Sequence, residues 1–276
     1  MHKKISIGKF ITYSLALFWI FATLAPLVLA FLSSFKDNTE IYLRPWQFPA
    51  SWFPTNYIFA IREISALRSV FNSLFVALAT SMLVLIVALL ASYPMSRKNL
   101  PIIKKFYTVF VVAIMVPVHS TLISISSLAS VLNARNQFWY LISVYAAFNL
   151  ASSIFLVSSY MDNISKEIDD AATIDGCNDI QVLFLILAPM CKPILATQAI
   201  FTFVFSYGEL IFALTLLSDS KLYTVSRALL SFYGDGDVRL GGLFAFIILS
   251  VIPSIIVYIF FHKQILSGAT AGAVKG

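Results

Sequence analysis

Charge is scarce in this 276-residue sequence. Asp, Glu, Lys and Arg make up 12% of it, against 59% hydrophobic residues, where soluble domains carry about a quarter charged residues. A soluble chain of this length can bury a large core, but not this much apolar surface. The mean hydropathy of +0.88 points the same way. A wholly aqueous protein is thereby excluded, and the lipid bilayer must serve as solvent for much of the chain. Cysteine is nearly absent. Cys177 and Cys191 share one short segment and show no CxxC or Cys/His spacing, so they read as ordinary thiols, and no disulfide is expected if that segment is cytosolic. Histidine is as scarce: His2, His119 and His262 have no ligand-spaced partner. There is also no Walker A sequence, no HExxH and no GxSxG, the motifs that would announce phosphate binding, zinc hydrolysis or a nucleophile elbow. Catalytic residues, a metal site and a cofactor are therefore not expected.

The formal net charge is +6. The Lys and Arg residues fall in the gaps between apolar runs, with no basic patch or aromatic platform of the kind that reads phosphates and bases. No nucleic acid partner is expected. Membrane proteins gather cations in cytoplasmic loops, which is a simpler cause of the basic balance.

What the sequence has in abundance is long apolar runs. A helix needs about 20 apolar residues to cross a bilayer, and runs nearly free of charge occur at 10–32, 69–93, 106–128, 138–160, 194–217 and 241–261. A transmembrane β-barrel would show alternating segments of about ten residues; these runs are continuously apolar. The fold class read from them is an all-α integral membrane protein of about six transmembrane helices, in a single transmembrane domain over 1–276. The first run follows Lys3, Lys4 and Lys9, and Val28-Leu29-Ala30 resembles a signal cleavage site. The run is longer than the usual signal core of about 7–15 residues, so a retained helix is expected.

Cations near the helix ends set the orientation. Lys3, Lys4, Lys9, Arg97, Lys98, Lys104, Lys105, Lys166, Lys192 and Lys263 all fall on one side of a six-span chain. That side is read as the cytoplasm, with both termini in it. The opposite side also carries cations, Lys36, Arg44 and Arg239 among them, many in longer loops with acids nearby. The external loop 33–68 holds Pro45, Pro49 and Pro54 with Trp46 and Trp52. Its prolines favour extended, turn-rich backbone and its tryptophans suit the membrane interface, so it reads as an interfacial collar rather than a binding site.

The informative segment is 162–193, between the fourth and fifth runs. Ser165 is placed to cap a short helix, Glu167, Asp169 and Asp170 fall where the helix dipole favours anions, and Ile164, Ile168, Ala171 and Ala172 recur near helical spacing. Gly176 suits the left-handed residue that ends a helix, while Pro189 and Pro193 break or kink the stretch that leads into the fifth run. Such a helix can fit a groove on another protein, or lie on the membrane, or pack on its own bundle; local physics leaves these open. Farther on, Glu209 is an acid at membrane depth beside Tyr207. It either serves transport or assembly, or is hydrogen-bonded inside the bundle.

Asp170-Ala171-Ala172-x-x-Asp175-Gly176, followed by Ile186 and Pro189, resembles the EAA loop of ABC importer permeases. Asp170 stands where the family has Glu, and Ala188 where it has Leu. Ser34-Phe35-Lys36 with Glu40, Asn72-Ser73, Ala91-Ser92-Tyr93, Ser96-Arg97 and the ending from Gly268 to Gly276 are similar to stretches of the carbohydrate-uptake permeases, in particular the smaller permease of the maltose importer. Two stretches depart from the family pattern: Leu122-Ile123-Ser124 after Pro117, and Ser206-Tyr207-Gly208-Glu209, which keeps only the acid of W-N-E.

The resemblance implies the type I ABC importer permease fold in a bacterial plasma membrane. It implies a second permease subunit in a heterodimer, two ATP-binding cassette ATPase subunits that hydrolyse the ATP, and an extracytoplasmic solute-binding protein that delivers a sugar or oligosaccharide. By that resemblance Asp170, Ala171, Ala172, Asp175 and Gly176 contact the ATPase, and Glu209 and Tyr207 lie along the transport path. The rival is a secondary transporter or channel for a small polar solute without an ATPase. It calls for several intramembrane acids and inverted repeats, and the sequence offers one such acid and no obvious repeat.

Overall fold

The computed structural model describes residues 7–233 and 238–273, apart from the side chains of Ile7, Phe10 and 261–273. The ending from Gly268, and with it the side chain of Lys263, therefore lies outside the described residues in whole or in part, as do Lys3, Lys4, Asp235 and Asp237. The described residues form helices joined by turns. In chain order they are α1 (Ile7–Ser33), α2 (Asn38–Leu43), α3 (Thr55–Arg62), α4 (Ala66–Arg97), α5 (Pro101–Ala113), α6 (Leu122–Val131), α7 (Phe138–Met161) and α8 (Glu167–Ile174). Then follow α9 (Asp179–Gln181), α10 (Ala188–Met190), α11 (Lys192–Gly208), α12 (Ile211–Leu216), α13 (Val225–Leu229) and α14 (Leu240–Ala273).

Among the described residues, four helices are long and apolar enough to cross a membrane uninterrupted, within Ile11–Ser33, Ala66–Arg97, Phe138–Met161 and Leu240–Phe260. Two further candidates are bent pairs, which bring the total to six if each pair is one span. This departs from six straight runs, and the reason is local. The third run stops at Ala113 and resumes through a 3-10 turn at Val118–Thr121, with a bend of 96°. Pro117, at φ −63, has no N–H to carry the helix through. The fifth run also breaks: α11 ends at Gly208, Glu209 is extended, and α12 begins at Ile211. Upstream, Asp179–Met190 meets Lys192–Gly208 at 78° across Cys191, between the two prolines.

The chain divides into two compact units. One comprises Met1–Leu67 and Ala228–Ile252. Here the Ser34-Phe35-Lys36 stretch organises the loop over 33–68. The Ser34 hydroxyl lies 2.8 Å from that of Tyr57. The Phe35 ring packs against Phe31, Trp52 and Tyr57. Buried Lys36 donates to the carbonyls of Arg44 and Pro45 at 2.9 Å each. Asn56 donates to the carbonyls of Ser34 and Lys36, and Glu40 accepts from the Ala50 N–H. Gly241, in the first turn of α14, lies so close to the Lys36 carbonyl and the Asn56 amide that a Cβ there would collide with both.

The other unit comprises Arg68–Arg227 and Pro253–Gly276. α7 is its central helix, with eleven buried residues along one run from Tyr140 to Met161. Two apolar clusters form around it. One joins Val76, Leu141 and Tyr145 to Phe212 and Leu216; the other joins Leu89, Val157 and Met161 to Val182, Leu187 and Ile194. Small polar groups tie the helices where side chains are short. Ser92 donates to the Ile154 carbonyl, Ser153 to Gln198 Oε1, and Ser73 accepts from the Val225 N–H. Asn72 donates to the carbonyls of Lys221 and Tyr223. In an apolar surrounding each such pair removes a polar group that would otherwise be buried unpaired.

Candidate functional site

The segment after α7 is built by its caps. The cap of α8 is Lys166, one residue later than expected, and its side chain makes no capping bond; the Ser165 hydroxyl accepts from the Glu167 N–H at 3.3 Å, and the Lys166 carbonyl receives the N–H groups of Asp169 and Asp170. α8 then runs for two turns. Gly176 ends it at φ +89, where a residue with a Cβ would pay roughly 1–2 kcal/mol. Its N–H donates to the Thr173 carbonyl at 3.0 Å, and the Cys177 N–H donates to the Ala172 carbonyl at 2.9 Å. These two bonds form a complete Schellman closure, and Ala172 and Cys177 also meet in one apolar cluster, as that motif favours. Asn178 and Gln181 then cap α9 reciprocally, each side chain accepting from the other's backbone at 2.9 Å. Both sides of the Gly176 turn are thus fixed within a few residues. A π-helical segment, Val182–Leu187, carries the chain on to Pro189.

α8 has two distinct sides. Ala172 is 5% exposed and packs with Leu89, Val157, Met161 and Leu187. Its side chain faces the chain's own core, so it anchors the helix and does not belong to the outward surface with which the sequence grouped it. Asp170, Ala171, Asp175 and Gly176 face outward. Ile174, which no sequence motif singles out, is 86% exposed. No atom would meet a Cβ on Gly176 within 4 Å, so the space beside the turn is open. The outward surface is acidic, with one large apolar side chain at its C-terminal end.

Two ionic links join this segment to the end of α4. Arg97 pairs through Nε with Asp169 Oδ2, the two side chains 4% and 15% exposed. Its Nη1 donates to the Met161 carbonyl at 3.0 Å. Next along, Lys98 donates to Asp179 Oδ2 at 2.9 Å, and the Tyr93 hydroxyl donates to Asp179 Oδ1 at 3.1 Å. This second pair is open to water on both sides. The sequence offered Arg97 only as part of a helix exit, with nothing to give its partner 72 positions away.

Glu209 occupies the break between α11 and α12. Its Oε1 accepts from the N–H groups of Ile211 and Phe212, and its Oε2 from those of Phe212 and Ala213. The Tyr145 hydroxyl donates to Oε2 at 2.7 Å. The carboxylate thus caps α12 from within the bundle. His119 Nε2, beside the break of the third run, lies 3.6 Å from Oε1, and the His119 ring stacks on Phe212. Sequence spacing offers His119 no partner, because the two breaks are brought together only by folding. Tyr207, two residues before Glu209, is buried and stacks on Phe203.

Comparison with known proteins adds an independent line. Residues 85–268 match the family described as "Binding-protein-dependent transport system inner membrane component". Among similar sequences is the "Probable ABC transporter permease protein YurM" of Bacillus subtilis (strain 168), 30% identical over 99% of this chain and 91% of that protein. Another is the "Maltodextrin transport system permease protein MdxG" of the same organism, 29% identical over 98% of this chain and 97% of that one. Among solved structures, a chain from a bacterial ABC transporter involved in the import of the acidic polysaccharide alginate superposes with a TM-score of 0.83. The match has 20% identity and covers 95% of this chain and 99% of that one.

Proposed function

The chain belongs to the family of binding-protein-dependent transport system inner membrane components, the multi-pass permeases of ABC transporters, and from that premise we propose that it passes a sugar or oligosaccharide into the cell. The maltodextrin permease relative supports this substrate class at nearly full length. In this reading the chain works with a second permease subunit, two ATPase subunits that supply all the catalysis, and a solute-binding protein outside. Both termini and the 162–193 loop are cytoplasmic, in keeping with the cations Lys9, Lys98, Lys104 and Lys166 on that side.

One observation carries the mechanism: α8 is anchored by Ala172, closed by Gly176, and turns an acidic outer surface away from the bundle. Asp170, Ala171, Ile174, Asp175 and Gly176 seat in a cleft of the ATPase. That cleft supplies basic groups for the carboxylates and an apolar pocket for Ile174, since acidic groups at an interface need complementary charge. When the ATPase dimer closes on ATP, it carries α8 with it and the bundle exchanges outward for inward access. Glu209 and Tyr207 shape the transport path from the wall, Glu209 by holding α12 at the helix break.

The test is co-expression with a candidate ATPase, co-purification, and uptake of labelled maltodextrins by intact cells. Wild type should bring down the ATPase and take up sugar only when ATP is present. Ala171→Arg, which adds bulk and positive charge to the outward surface, should insert normally and lose the ATPase. Uptake that follows an ion gradient and ignores the ATPase would reject the reading in favour of a secondary transporter.

A further inference from the structure

We propose that Arg97 is a positioning residue, the pivot that makes α8 and the C-terminal end of α4 move as one piece. This rests on the reading of α8 as the ATPase contact. The Arg97 guanidinium touches three elements at once. It projects from the last residue of α4, donates to the carbonyl of Met161, the last residue of α7, and pairs with Asp169 in the first turn of α8. The ion pair is almost wholly removed from water. Separating such a pair strands an uncompensated buried charge, so the link resists stretching far more than its Coulomb attraction in water would suggest. Ala172 and Met161, in one apolar cluster, form the adjoining half of the joint. A pull on α8 therefore reaches α4 directly, without first being lost in a flexible loop.

The neighbouring pair supplies the contrast. Lys98 and Asp179 are 45% and 62% exposed, and water can replace either partner at little cost. Arg97, which ends α4, and Lys98, which follows it, thus grip the two sides of the Gly176 turn in different ways, Arg97 by a dry link and Lys98 by a wet one. Arg97 also reaches two partners at once, its Nε in ionic contact with the carboxylate and its Nη1 hydrogen-bonded to a backbone carbonyl, while Nη2 and Asp169 Oδ1 make no hydrogen bond. A lysine ammonium cannot span both positions in the same geometry.

The experiment uses the assembled transporter in proteoliposomes, with Arg97→Gln, Arg97→Lys and Asp169→Asn, and with Lys98→Ala and Asp179→Asn as the wet-pair controls. Arg97→Gln and Asp169→Asn are expected to keep the ATPase bound through purification. They should lose at least about tenfold of the stimulation of ATP hydrolysis by sugar-loaded binding protein, and a similar factor in uptake. Arg97→Lys falls between these and wild type, and the controls stay within about twofold of it. Spin labels on Asn99→Cys and Lys166→Cys, with Cys177→Ser, read the link itself. Their separation should be unchanged by ATP in wild type and should spread on ATP binding in Asp169→Asn. Full stimulation in both Asp169→Asn and Arg97→Gln, or an unchanged label distance in Asp169→Asn, overturns the pivot. So does loss of the ATPase in Asp169→Asn, a nearly isosteric change, because the pair would then serve docking rather than transmission. Normal ATPase binding by Ala171→Arg would instead sink the coupling-helix reading, whatever Arg97 does.

Discussion

The Tyr145 hydroxyl donates to Glu209 Oε2 at 2.7 Å, joining the first half of α7 to the break between α11 and α12. The same carboxylate accepts from three successive backbone N–H groups, those of Ile211, Phe212 and Ala213. An acid at membrane depth is costly unless it faces protein or water, and here protein supplies a full set of donors. Glu209→Ala leaves the first N–H groups of α12 and the Tyr145 hydroxyl without their acceptor. Its unfolding free energy in detergent should fall by roughly 1–3 kcal/mol. Tyr145→Phe should cost about 1 kcal/mol. In a double-mutant cycle the two should be non-additive, because each removes the same bond. Additive losses would mean that the two groups do not interact.

Gly176 holds a backbone angle that β-branched and bulky side chains adopt only at a cost. Gly176→Val places a β-branched residue at φ +89 and should cost roughly 1–2 kcal/mol locally or refold the turn. Asn, which tolerates the left-handed region, should be mild. Since nothing in the chain fills the space beside Gly176, the backbone strain is the whole local cost: insertion should survive, the loss of stability should stay at about 1–2 kcal/mol, and ATPase co-purification should fall. A Gly176→Val variant that still brings down the ATPase at wild-type yield would count against the contact.

The two thiols should differ sharply. Cys191 is fully buried among Leu187 and Ile194, whereas Cys177 is half-buried at the end of α8. In native detergent-solubilised protein, maleimide should modify Cys177 and spare Cys191 until denaturant is added. Mass spectrometry of the tryptic or chymotryptic peptides reads both at once. Modification of Cys191 at the rate of Cys177 would contradict the packing at the start of α11.

Orientation is open to the same chemistry. Ser51 and Asn99 are exposed, on opposite sides of the membrane in the proposed topology. In a background of Cys177→Ser and Cys191→Ser, an impermeant thiol reagent on intact spheroplasts should label Ser51→Cys and leave Asn99→Cys untouched. Inverted vesicles should give the reverse. Labelling of Asn99→Cys from outside would require the whole topology to be inverted.

Gly241 gives a test of the collar. A methyl group there meets the Lys36 carbonyl and the Asn56 amide, neither of which can withdraw without losing the bond between them. Gly241→Ala should destabilise the protein by roughly 1–3 kcal/mol, the range for forced overpacking, read as a lower Tm. An unchanged Tm would mean that the first turn of α14 has slack.

Much of this protein is already decided by composition and by short-range patterns. Apolar runs of more than about 20 residues leave the backbone no choice but helices in a lipid solvent, and Phe138–Met161 appears where its run predicts it. Caps are equally local: Gly176 at positive φ follows from the end of an apolar-patterned turn, because only the residue itself and its near neighbours set that angle. The tertiary structure decided what depends on contacts between distant segments. Ala171 and Ala172 are indistinguishable in sequence, yet one faces out and the other is sealed against Leu89 and Val157, because the packing of α8 on α4 and α7 sets its rotation. An uninterrupted apolar stretch also conceals its own breaks. Glu209 divides the fifth run by capping α12 with a carboxylate that Tyr145 holds. Arg97 finds Asp169 only when the ends of α4 and α7 converge on α8, a meeting in space that no local pattern of residues encodes.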